Sequence, residues 1–142
     1  MKISLDDSLG FILNRTNIRM KNILLHKFKD YDITPEQWAV LNCLWIRDGI
    51  SPKELAGLTH KDQPTTVRIL SKLETKGSIS RQVNPGDHRS FLIFLTTKGR
   101  ALKNILIPLA AEALDKATKD IDQSKINLVK DTLNQIYKNL EA

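Results

Sequence analysis

Three helix-start signals crowd into one stretch of this chain, and they limit its fold more than any other feature. Thr34-Pro35-Glu36-Gln37, Ser51-Pro52-Lys53-Glu54 and Asp62-Gln63-Pro64 each place a capping side chain just ahead of a proline in the first helical turn. Proline is tolerated there because the first N–H groups of a helix have no intrahelical acceptor. The first two also have the spacing of capping boxes. Asp48-Gly49 and Gly77 supply stops. The region is therefore expected to be cut into three short helices, the first ending near Arg47, the second near Thr59, and the third spanning 62–76. Trp38, Ala39, Val40, Leu41, Cys43, Leu44, Trp45 and Ile46 make the first apolar nearly all round, so burial on most sides is expected.

After Gly77 the apolar period falls from about 3.6 to 2. Ile79–Val83 alternates, and Phe91–Leu95 is a β-prone run. Between them the turn-rich segment 84–90, Asn-Pro-Gly-Asp-His-Arg-Ser, reads as the loop of a β-hairpin. Ile50 is expected as a further short strand. Outside this module the pattern is helical again. Leu5 to Phe28 predicts a helix over 5–30. Thr96 or Thr97 caps a long helix through Leu114, and a break near Asp120–Ser124 precedes a last one carrying Ile126, Val129, Leu133, Ile136, Tyr137 and Leu140.

Charge is distributed unevenly. The net charge is +6, and residues 51–100 carry nine Lys and Arg against four Asp and Glu, which is five of the six excess charges. A basic module between near-neutral flanks is the footprint of a polyanion binder. Two short helices followed by a hairpin, all within that module, form a winged helix-turn-helix. The fold class is mainly α with a small β-hairpin wing.

Helical phase, at about 100° per residue, divides the third helix. Thr66, Ile69, Leu70 and Leu73 fall on a core face. Pro64, Thr65, Arg68, Ser71 and Lys72 fall on the other side, with Val67 at the border and Gln63 near the start. Short polar side chains let a backbone approach a major groove. There Arg68 suits a guanine edge, Gln63 an adenine and Val67 a thymine methyl. In the hairpin, Arg89 suits a narrow, electronegative minor groove and His88 lies beside it. Asp87 would repel phosphate, so it is expected to orient a nearby guanidinium.

These residues resemble the MarR family of transcription regulators. The resemblance rests on Ile33-Thr34-Pro35-Glu36-Gln37-Trp38-Ala39-Val40-Leu41, on Leu55-Ala56, on Leu73-Glu74-Thr75-Lys76-Gly77, and above all on Asp87-His88-Arg89 followed by Leu95-Thr96-Thr97-Lys98-Gly99. It implies one domain over 1–142. A DNA-binding lobe would occupy 33–99, with helical dimerisation segments at 1–30 and 100–142. It also implies a homodimer with 62–76 as the reading helix and Arg89 as the minor-groove arginine of the wing. The middle wing position, often arginine in the family, is His88 here, which removes one phosphate contact or tunes it with pH. The terminal helices support dimerisation independently, because their apolar stripes are wider than a single lobe covers. A two-fold dimer demands a pseudo-palindromic duplex site.

The family resemblance further implies repression released by a small aromatic ligand held between the dimerisation helices and the DNA-binding lobe, with His26 and Trp45 as candidate lining residues; packing is the alternative for each. Cys43, among apolar neighbours, reads as a small hydrophobe and not a redox sensor. No metal or cofactor is expected, since His26, His60 and His88 have no ligand spacing. HExxH, GxSxG and CxxC patterns and Gly-rich phosphate loops are absent, so an enzyme is not expected. The start, MKISLDDSLG, does not read as a signal peptide and no apolar run reaches about 18 residues, so a cytoplasmic protein with no membrane span is expected. The competing reading is a winged-helix module that binds another protein and not DNA. Cations on both the reading helix and the hairpin tip distinguish the two, since only DNA binding requires them.

Overall fold

The computed structural model describes residues 4–141. Six helices and one hairpin follow in order: α1 (Leu9–Phe28), α2 (Pro35–Ile46), α3 (Pro52–Thr59), α4 (Gln63–Thr75), β1 (Ile79–Asn84), β2 (Asp87–Leu95), α5 (Thr97–Ala117) and α6 (Gln123–Asn139). The helix expected over 5–30 is shorter. Single 3-10 turns at Leu5–Asp7 and Lys29–Tyr31 flank α1, and Asp32 leaves the second in the left-handed region at φ 55°.

The helix starts are set by side chains, as their sequence dictates. At α2 the Thr34 hydroxyl accepts from the Gln37 amide and the Gln37 side chain accepts from the Thr34 amide, a complete capping box. At α3 the box is only half formed. Ser51 Oγ accepts from the Glu54 amide, but the Glu54 carboxylate turns away to pair with Arg47. A cation within reach outcompetes a single neutral N–H for a carboxylate. At α4 Asp62 is the cap, and at α5 it is Thr96, accepting from Gly99 N at 3.1 Å.

One core joins the lobe to the inner parts of α1 and α5. Phe28, Val40, Leu41, Leu44, Leu55, Leu70, Leu73, Ile93 and Leu106 are fully buried within it. The core face assigned to α4 is the one that packs: Thr66, Ile69, Leu70 and Leu73 are all buried. The expectation that α2 is buried on most sides is met except at its last residue. Val40, Leu41 and Leu44 are buried, Trp38, Cys43 and Trp45 only half so, and Ile46 is 88% exposed. α2 packs against α1, α3, α4, α5 and β2, and Ile46 in its last turn is left outside those contacts.

Two features of the hairpin differ from the sequence pattern. The expected loop over 84–90 shrinks to a turn at Pro85-Gly86, with Asp87–Ser90 part of β2. The register shifts between Val83 and Asn84. Val83 faces Phe91 and Asn84 faces Asp87, leaving His88, Arg89 and Ser90 outside the paired register, a bulge that bends the strand. Ile50 forms an isolated bridge to Ile93 and no strand of its own. Among the described residues, no helix is long and apolar enough to cross a membrane.

Candidate nucleic-acid interface

The exposed face of α4 is built around the helix start. Asp62 Oδ1 accepts from the Thr65 amide at 2.8 Å and Asp62 Oδ2 accepts from the Thr65 hydroxyl at 2.9 Å. Arg68 Nη2 in turn donates to Thr65 Oγ1 at 3.1 Å. The Thr65 amide, then its hydroxyl, hold the Asp62 carboxyl below the usual carboxylate range, with the Arg68 charge adding last. A carboxylate so depressed keeps its capping strength above its ordinary pKa and loses it only as pH falls through the lowered value, so the cap is intact at neutral pH. Gln63, Pro64, Val67, Arg68, Ser71 and Lys72 are exposed and Thr65 is half-buried. The structure thus brings the residues expected on the reading face to one exposed side of α4.

Behind that face, Lys76 anchors the end of α4. Its ammonium donates to the Asp32 carbonyl and, at 2.8 Å, to Gln37 Oε1, while Lys98 Nζ donates to Lys76 O at 2.7 Å. These two cations serve the lobe's own packing. Among the described residues Arg68, Lys72 and Arg89 make no ion pair, and Arg68 is held only by its hydrogen bond to the neutral Thr65 hydroxyl, so all three are available to an outside anion.

The wing presents Arg89 and His88 at its exposed, bulged end. The role expected of Asp87 is corrected. Its Oδ1 accepts from the Arg89 amide at 3.0 Å, so it orients the Arg89 backbone and not a guanidinium. A short Asp side chain reaches the amide two residues on more readily than the end of a long side chain. Ser90 Oγ accepts from Asn84 Nδ2 at 3.2 Å across the same turn.

Sequence reasoning missed Arg81. Its guanidinium donates to Ser71 Oγ at 2.9 Å, approaches Glu74 at 3.4 Å and lies 5.9 Å over the Phe91 ring, tying β1 to α4. Alternation puts Arg81 on the same face as Ile79 and Val83, which reads as an inward position. The structure shows why that signal misleads: Ile79 is 2% exposed and Val83 53%, because the hairpin leaves the core as it lengthens.

The two ligand candidates are not brought together. His26 borders a cavity of about 380 Å³ with Leu25, Lys29, Asp32, Ile33 and Thr34. Trp45 is instead packed edge-on to Trp38, centroids 5.5 Å apart, and its indole N–H donates to Gly99 O at 2.9 Å. Trp38 lines a separate apolar cleft of about 190 Å³ with Met20, Ile23, Leu24, Ala110 and Ala113. Burial pushes the Cys43 thiol up, which keeps it protonated.

Known proteins share this geometry. A family model described as the MarR family matches residues 33–91. The HTH-type transcriptional regulator TtmR of Methylorubrum extorquens is 36% identical over 83 residues, covering 58% of this chain and 40% of TtmR. The chain thus spans well under two thirds of that relative. Among solved structures, the transcriptional repressor CouR bound to a 23-mer DNA duplex superposes with TM-score 0.87 at 28% identity, covering 96% of this chain and 99% of that one. A mutant MarR from Escherichia coli complexed with operator DNA gives TM-score 0.85 at 27% identity over 90% of this chain and 92% of that one.

Proposed function

We propose that this chain belongs to the MarR family, whose model matches residues 33–91, and that it is a sequence-specific regulator of transcription that binds double-stranded DNA as a homodimer. In this reading α4 enters the major groove, with Gln63, Pro64, Thr65, Val67, Arg68, Ser71 and Lys72 toward the duplex. The wing enters the adjacent minor groove through Arg89, with His88 beside it. The observation that carries the reading is the pairing of available cations on two separate elements of one lobe, Arg68 and Lys72 on α4 and Arg89 at the wing. Two structural neighbours are themselves complexed with DNA, CouR with a 23-mer duplex and a mutant Escherichia coli MarR with operator DNA. A protein-binding module has no need of cations at both places.

Repression released by a small aromatic ligand belongs to the same proposal. The cavity beside His26 and the cleft beside Trp38 lie against α1, the dimerisation helix of this reading, and packing at Trp45 carries any change there toward α5 through Gly99. In this reading the protein works in the cytoplasm.

Salt dependence is the direct test. Each phosphate neutralised by a cation releases condensed counterion, so affinity for a duplex enriched from a random pool should fall steeply between low and moderate salt, by about a thousandfold for six or more phosphate contacts in the dimer. A flat titration would remove the DNA reading.

Dimerisation is supported by what a single chain leaves uncovered. No residue of α6 is buried, and Leu128, Val129, Tyr137 and Leu140 are 65%, 53%, 58% and 77% exposed. On α1, Leu9 and Ile18 are more than half exposed. Apolar faces of this extent mark an interface. Removing residues 121–142 should yield monomers or aggregates with duplex affinity reduced to that of a single lobe. A soluble dimer after truncation, seen by light scattering, would put the interface elsewhere.

A further inference from the structure

We propose that Asp62 and Thr65 are positioning residues for base recognition, acting as a relay that holds the Arg68 guanidinium in its reading posture before DNA arrives. The inference deepens the DNA-binding reading and rests on it. Residues 62, 65 and 68 are spaced three apart and so stack along one side of the first two turns of α4. The Thr65 hydroxyl sits between the other two. It donates its proton to Asp62 Oδ2 at 2.9 Å, which leaves its oxygen lone pairs for Arg68 Nη2 at 3.1 Å. The carboxylate therefore sets the direction of the hydroxyl, and the hydroxyl sets the guanidinium.

Only one N–H of Arg68 is engaged, so the second hydrogen of Nη2, with that of Nη1 or Nε beside it, remains as a fork for the two acceptors of a guanine edge. An exposed arginine otherwise samples many rotamers and must lose that freedom on binding. A relay already in place in the DNA-free chain lowers that loss for the posture it favours. Its effect falls on discrimination between sequences more than on general attraction to phosphate, because only the base edge needs the guanidinium at one angle.

The relay also accounts for Asp62 making two bonds to Thr65. A cap needs one bond, to the amide. The second bond, to the hydroxyl, steadies the carboxylate and also fixes the direction in which the hydroxyl presents its lone pairs to Arg68.

The experiment measures the affinity ratio between a duplex enriched from a random pool and a shuffled duplex of equal length. The proteins are the full chain and Thr65→Val, Thr65→Ser, Asp62→Asn and Arg68→Ala, with the first and third also combined with Arg68→Ala. Asparagine caps as well as aspartate, and serine keeps the hydroxyl, so thermal midpoints identify any variant whose loss is merely structural. Thr65→Val and Asp62→Asn are expected to lower the ratio about three- to tenfold, Thr65→Ser to keep it, and neither loss to appear once Arg68 is alanine. Independent, multiplying effects of Thr65→Val and Arg68→Ala overturn the relay, as does an unchanged ratio in Thr65→Val, while the DNA reading stands. A wild-type chain with no preference between the duplexes overturns the DNA reading itself and this inference with it.

Discussion

Arg68→Ala is expected to weaken binding to the preferred duplex by about 1–3 kcal/mol, roughly ten- to a hundredfold, and to relax selection at one or two base positions. Arg68 is exposed on α4, tethered at one nitrogen only, and the reading face has no second arginine to take its place. The loss should be small on a shuffled duplex, because a base contact and not bulk charge has been removed. Arg89→Ala provides the contrast. A wing arginine in a narrow minor groove responds to groove width and potential. Its removal should weaken the preferred duplex while leaving major-groove preferences intact. If selection experiments with Arg89→Ala return a changed major-groove consensus, or with Arg68→Ala an unchanged one, the assignment of the two arginines to the two grooves is wrong.

Gly99→Ala is expected to destabilise the fold by about 3 kcal/mol, the upper end for overpacking. This is roughly a 10 °C fall in the thermal midpoint at fixed protein concentration for a chain of this size. Gly99 lies in the first turn of α5, and a Cβ there would stand 2.0 Å from the Ser78 carbonyl oxygen and 3.2 Å from Leu95 Cδ2. The first obstacle is backbone, which cannot rotate aside. That same carbonyl accepts from the Thr96 amide at 3.1 Å, and the Gly99 carbonyl accepts from the Trp45 indole, so α5 cannot retreat without breaking both. The damage would reach DNA binding too, because α5 meets the lobe at the root of the wing. A variant melting within about two degrees of wild type would mean that this junction yields more easily than its packing implies.

Gly99 also marks the boundary of what a sequence conveys. In the chain it stands in Leu95-Thr96-Thr97-Lys98-Gly99, where it reads as a residue of a helix's first turn and nothing more. Its close approach to Ser78 exists only once the turn after α4 and the start of α5 are brought together. Arg81 is a similar case. Its alternation parity is correct, but how far β1 runs beyond the core decides whether that parity means burial or a bridge to Ser71 and Glu74. Glu54 was legible as a box partner of Ser51, yet an arginine seven residues earlier takes the carboxylate. Pro108 lies inside an unbroken α5, where intrinsic propensity alone would argue for a stop.

The local signals did decide a great deal. The caps at Thr34, Ser51, Asp62 and Thr96, the left-handed stop at Gly77 and the core face of α4 are all encoded within a few neighbouring residues. Side chains one helical turn apart meet whatever the rest of the chain does, so their chemistry can be read in order. The uneven charge and the cations of α4 and the wing are equally properties of the string of residues. What only the tertiary structure decided is where that string comes back on itself: the separation of His26 from Trp45, the bulge that carries Arg89, and the bridge from Arg81 to α4. Those follow from contacts between residues distant along the chain, which depend on how every element packs against the others and leave no pattern within any one of them.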